Sequence, residues 1–109
     1  MDEVPFVERS FELDGDKLLV RFYAPSKEPG GEFKCRYSIG WPEREVRRYA
    51  CGLDGIQALM LAMRSVHTDL LDSDAYKAGR LTWCDEADLD LPPGWGAGPL
   101  YNVPPQGPA

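Results

Sequence analysis

The sequence predicts an α+β domain: a four-stranded antiparallel β-meander packed on one long α-helix, in the order ββββα, with a Pro/Gly-rich C-terminal tail. Three observations lead there. Apolar side chains alternate with period two through four stretches before residue 52. After Gly55 the spacing becomes helical. From Pro92 onward, proline and glycine interrupt every run, so residues 1–91 are assigned to one domain and 92–109 to an extended or disordered tail.

The first strand is placed over Phe6 to Leu13, where Val7, Arg9, Phe11 and Leu13 share one parity. Arg9 interrupts the apolar face and is assigned to the end of the sheet. Asp14-Gly15 then marks a tight hairpin, because glycine accepts positive φ. Leu18 to Ala24 forms the second strand, with Leu18, Val20, Phe22 and Ala24 on the core side and Leu19, Arg21 and Tyr23 opposite. Pro25 ends it by removing a ladder donor, and Ser26 to Gly31 reads as a loop.

Phe33 to Trp41 alternates most cleanly, with Phe33, Cys35, Tyr37, Ile39 and Trp41 on one face. In the fourth strand, Val46 to Cys51, the facing is ambiguous: Val46 and Ala50 compete with Tyr49 and Cys51 for the core side. Short connections imply antiparallel neighbours. Asp54 is a candidate N-cap. The helix that follows is expected to bury a stripe of Ile56, Leu59, Met60, Met63, Val66, His67, Leu70 and Leu71, widened by Ala58, Leu61 and Ala62. Beyond it, Ala75 to Ala78 forms a helical turn stopped by Gly79, Arg80 to Trp83 is extended, and Asp85 to Leu91 is acidic and exposed.

The segments Lys34-Cys35-Arg36-Tyr37-Ser38-Ile39, Gly52-Leu53-Asp54-Gly55-Ile56-Gln57-Ala58-Leu59 and Lys77-Ala78-Gly79-Arg80-Leu81-Thr82-Trp83 resemble a family of small uncharacterised bacterial domains. The resemblance runs to about Leu91. It implies a bacterial origin and the ββββα order, and it implies no activity.

Composition narrows the function classes. The 109 residues suit one domain, and 43% hydrophobic with 28% charged residues is a globular balance. A net charge of −6 disfavours nucleic acid, whose phosphates reward a basic excess. The longest apolar run, Ala58 to Met63, is too short to span a bilayer, and Met1-Asp2-Glu3-Val4-Pro5 lacks a secretory pattern, so a cytoplasmic protein is expected. The three cysteines form no CxxC and only one histidine is present, so neither a metal site nor a cofactor is expected. Cys35 and Cys51 fall on neighbouring strands, yet reduced thiols are the expectation.

Two groups of residues are candidates for binding. Lys34, Arg36, Arg47 and Arg48 gather on the solvent face of the third and fourth strands, a basic patch on an acidic chain. Lys77, Arg80 and Trp83 combine cations with a tryptophan, residue types favoured as interface anchors. Other features have ordinary structural explanations. His67 lies on the helix stripe without a recognisable nucleophile partner. Gly52-Leu53-Asp54-Gly55 is a turn and cap rather than a phosphate loop, the acidic run lacks the pattern of a calcium loop, and Pro105-Gln106-Gly107-Pro108 is a weak polyproline match. No catalytic residues are assigned.

The expected function is a non-catalytic protein-interaction or accessory module, of which an immunity-like protein with an acidic surface for a basic partner is one version. The alternative is a small-ligand binder or enzyme with a pocket between helix and sheet, using His67, Tyr37 or Cys35. A protein partner and a homodimer through an edge strand are the expected associations.

Overall fold

The computed structural model describes residues 4–91. The tail and its polyproline match lie outside the described residues, as does the start of the chain. The strands are β1 (Val7–Leu13), β2 (Asp16–Phe22), β3 (Ser26–Lys27), β4 (Phe33–Gly40), β5 (Glu45–Gly52) and β6 (Leu81–Thr82), and the helices are α1 (Gly55–Leu71) and α2 (Asp74–Lys77). All pairings are antiparallel. The fold is therefore α+β with one main helix, but the sheet has six strands rather than four. The two extra strands have two residues each. β3 continues the β2 side of β4, pairing Ser26 with Lys34, and β6 extends β1, pairing Leu81 with Leu13.

β1 and β2 are closed by Asp14 and Gly15 at φ 53° and 81°, between the paired residues Leu13 and Asp16. Two consecutive positive φ values match the right-handed strand twist, which is why Asp-Gly stands there. Across the sheet, Phe11, Leu13, Leu18, Val20, Phe22, Cys35, Tyr37 and Ile39 point to one face and are all buried. Each contributes roughly 1–3 kcal/mol by leaving water. Burial pushes the Cys35 thiol up to about 11, so it stays protonated at neutral pH.

α1 lies over β4 and β5. The Asp54 carboxylate caps it by accepting from the Gln57 N–H at 2.8 Å, and Gln57 Oε1 accepts from the Leu53 N–H at 2.6 Å. The helix is rotated relative to the hydropathy expectation. Its fully buried residues are Ala58, Ala62, Val66 and Leu70, while Leu59 and Met63 are half-buried and Ile56 is 72% exposed. Small residues face the sheet because the first turn of α1 rests on Gly52. A Cβ there would sit 2.5 Å from the Ala58 nitrogen. The resulting close approach leaves room for alanine and not for Ile56 or Met60.

The expectation that Asp85 to Leu91 is exposed is corrected. Leu89 and Leu91 are buried in the same core cluster as Phe11 and Leu18. Arg9, on the inward parity of β1, donates to the carbonyls of Leu89 and Asp90 at 3.1 and 2.8 Å, and its guanidinium lies 4.3 Å from the Trp83 ring centroid. Thus α1 roofs one half of the sheet's inner face, and the segment after β6 roofs the other. Arg9 is the clamp on that second roof, not an interruption at a sheet end.

Candidate functional site

Among the described residues no helix lies on the opposite face of the sheet, and three of the sequence-nominated cations stand on it. Register places Arg21, Ser38 and Arg47 in one row across β2, β4 and β5, and Arg36 beside Tyr49 in the next. Lys34 lies opposite Cys51 one row further on, with its ammonium 4.3 Å from the Tyr49 ring centroid. Phe6, Tyr23, Arg21, Arg36, Arg47 and Tyr49 line a shallow depression of about 950 Å³. Ser38 is only 2% exposed although it has outward parity, because it lies between the two flanking arginines.

The cations are held by acids that are easily displaced. Arg21 Nε meets Glu8 Oε1 at 3.0 Å, Arg47 meets Glu45 Oε1 at 3.2 Å and Lys34 meets Glu28 Oε1 at 3.8 Å. Ion pairs this exposed contribute about 0–1 kcal/mol, so an incoming carboxylate can replace the resident one at little loss. Bidentate pairing to a planar carboxylate is a property of arginine, and three arginines share this surface.

Arg48 does not join them. Its parity is inward with Val46 and Ala50, and it reaches Asp69 of α1 at 3.7 Å. This settles the ambiguous facing of the fourth strand in favour of Val46 and Ala50. Beside that pair, the Tyr37 hydroxyl bonds Ser65, and its pKa is raised by burial and by the nearby Asp69 charge. In the second nominated group each residue meets a different partner. Lys77 pairs with Asp72 and Arg80 with Asp14, both on the surface, and Trp83 stacks under Arg9. His67 is half-buried on α1. The sequence places Arg21 and Tyr23 on the outward parity of the second predicted strand, by the same alternation that exposes Arg36, although neither is among the binding candidates read from it.

A second polar cluster lies at the sheet's far edge. Cys84 and Asp85 have φ of 51° and 66°, in a tight turn closed by reciprocal Trp83–Glu86 backbone bonds of 2.9 Å. Neither is glycine, so the turn carries strain. The Glu12 carboxylate compensates by accepting from the Thr82 hydroxyl at 2.7 Å and from the Cys84 and Asp85 N–H groups at 3.1 and 2.9 Å. The Thr82 bond, then the Asp85 N–H, hold its pKa below 4.5. A depressed carboxylate stabilises the fold above its unfolded value, and that contribution is lost as pH falls through the folded value. Amide protection at Cys84 and Asp85 is therefore expected to disappear as pH falls below the ordinary carboxylate range through the lowered folded value, ahead of the core strands. In Glu12→Gln, protection is expected to be low and flat across the same range. Hydrogen exchange read by NMR checks both.

Among the described residues, no group of three or more His, Cys, Asp or Glu side chains converges to hold a metal ion. No helix of the described residues is long and apolar enough to cross a membrane. The sequence model of a family described as a domain of unknown function, DUF6968, matches residues 7–93. The chain belongs to DUF6968. The match takes in every strand and both helices, including β6 and the buried Leu89 and Leu91, so the DUF6968 unit is the whole two-roofed sheet. No curated protein and no solved structure matches this DUF6968 chain.

Proposed function

We propose that the chain is a non-catalytic protein-interaction module, and that its outer sheet face takes a partner segment carrying carboxylates and aromatic or apolar side chains. The observation that carries this is the difference between the two faces. The inner face is filled by Tyr37, Ile39, Val66 and Leu89, whereas the outer one presents Arg21, Arg36 and Arg47 among Phe6, Tyr23 and Tyr49. Arginine and tyrosine are the residue types that anchor interfaces. The patch also opposes the sign of the chain's net charge of −6, so it orients an acidic segment toward one face.

A random-peptide display selection against the purified chain tests this. Enriched peptides should combine Asp or Glu with aromatic residues, and the double variant Arg21→Ala/Arg36→Ala should weaken their binding at least about tenfold, the loss of two charge-assisted contacts. A Lys77→Ala control should bind as the parent does. Failure to enrich peptides, or peptides indifferent to the double variant, refutes the proposal.

A further inference from the structure

We infer that the chain forms a two-fold dimer by antiparallel pairing of β5 with β5 of a second copy, with Tyr49 on the axis. The inference concerns the edge of the sheet and goes beyond the reading of its outer face.

Among the described residues β5 pairs with β4 alone, so its other side is an edge there. The direction of its backbone groups follows from the ladder. The Tyr23 N–H donates to the Arg36 carbonyl at 2.9 Å, so Arg36 turns its backbone toward β2. Tyr49, which lies opposite Arg36, must then turn its N–H and C=O away from β4. The same parity applies to Glu45, Arg47 and Cys51. No turn, loop or cap bond uses their backbone groups among the described residues. An eight-residue edge with no proline and no two-residue shortening is the kind natural proteins cover. At the opposite end of the sheet β6 covers only Glu12 and Leu13 of β1, whereas β5 offers all eight of its residues, so β5 is the longer edge among the described residues.

The side chains select the occupant and the register. Outward-facing residues must meet outward-facing residues, which allows only a few symmetric registers. An axis at Arg47 or at Arg48 sets like charges directly opposite, a destabilising arrangement. An axis at Val46 matches Glu45 with Arg47 but sets Arg44 against Arg48. With the axis at Tyr49, the tyrosines pair with each other, Arg47 meets Cys51 and Arg48 meets Ala50, with no like charges opposed. An axis at Ala50 also opposes no like charges but draws less of β5 into the pairing, whereas the Tyr49 register engages most of β5 and forms about six main-chain hydrogen bonds. Tyr49 is 57% exposed in the single chain, an apolar ring that the pairing covers. The chain's acidic excess is no obstacle at this edge, because Arg47 and Arg48 outnumber Glu45 on β5.

Sedimentation equilibrium of the full chain over about a hundredfold range of concentration is the test. A reversible dimer is expected. Tyr49→Pro should remain folded, since it removes an N–H with no acceptor in the single chain, and should be monomeric. If that variant unfolds, Tyr49→Lys keeps the N–H, places two ammonium groups across the axis and should raise the dimer Kd at least about tenfold. Tyr49→Cys in a Cys51→Ser/Cys84→Ser background should form an intermolecular disulfide on oxidation, as cysteines facing each other across the axis are within bridging distance. A wild-type chain that is monomeric throughout, a dimer unaffected by a folded Tyr49 variant, or a Tyr49→Cys chain that does not cross-link overturns the inference. The Arg21→Ala/Arg36→Ala variant should dimerise normally, so loss of peptide binding and loss of dimer are separable results.

Discussion

Replacing Gly52 by alanine is expected to destabilise the domain by about 3 kcal/mol, a large effect for a single methyl group. The added Cβ would lie 2.5 Å from the Ala58 nitrogen, 2.9 Å from the Gln57 carbonyl carbon and 3.0 Å from the Ala58 Cα. All three atoms are backbone, so no rotamer change relieves the contact. The first turn of α1 must lift from β5, and that displacement opens the packing of Ala58 and Ala62, both 0% exposed. Alanine's advantage over glycine in a strand, about 0.5–1 kcal/mol, offsets only part of this. For a domain of this size the midpoint should fall by roughly 10–20 °C. Gly55→Ala is the matched control. Its Cβ would meet the Pro25 ring, Cβ at 3.5 Å and Cγ at 3.7 Å, both ordinary contacts, and the change should be neutral or slightly stabilising. Thermal unfolding of the two variants checks the pair.

Leu89→Ala is expected to be destabilising by about 3 kcal/mol, in a stretch whose composition reads as solvated acid. Leu89 is 1% exposed and belongs to the cluster that includes Phe11 and Leu18. Truncation leaves a cavity over β1 and β2, where no helix can move in to fill it, since α1 lies over β4 and β5. Arg9→Ala should reproduce part of the loss, because its guanidinium satisfies the Leu89 and Asp90 carbonyls and covers Trp83. Glu86→Ala, three residues away and exposed, should change stability by no more than about 0.5 kcal/mol. Denaturant titration of the three variants separates a second roof from a loose acidic strand-end.

The features the sequence made readable are those with a local cause. The Asp14-Gly15 turn is demanded by φ at two adjacent residues. The parity of β4 follows from unbroken alternation between Phe33 and Trp41, and the Asp54 cap from its place before a helical period. The rest depended on distant partners. Two-residue strands such as β3 and β6 have no period to detect, and they exist because β4 and β1 present free ladder positions. The rotation of α1 was hidden because hydropathy ranks Ile56 and Met60 above Ala58 and Ala62, while the close approach at Gly52 admits only the smaller residues. Leu89 and Leu91 were masked by Asp88 and Asp90. Adjacent positions on a strand point to opposite faces, so Arg47 and Arg48 cannot share one; which of them faces out is ambiguous in the sequence, and only the packing of Val46 and Ala50 against the core fixes it.

The same asymmetry governs the candidate site. Lys34, Arg36 and Arg47 were found from alternation alone, but Arg21, Tyr23 and Phe6 join them only through the pairing of β2 with β4 and of Phe6 with Phe22. A surface assembled from three strands is visible once register is known.

An NMR titration of the chain with a peptide enriched by the display selection locates binding residue by residue. The shifts should concentrate on Arg21, Tyr23, Arg36, Ser38 and Arg47 and leave α1 and residues 84–91 unmoved. Shifts centred instead on Met63, His67 and Leu89 would place the ligand between the sheet and its roofs, and would contradict the outer face as the binding surface.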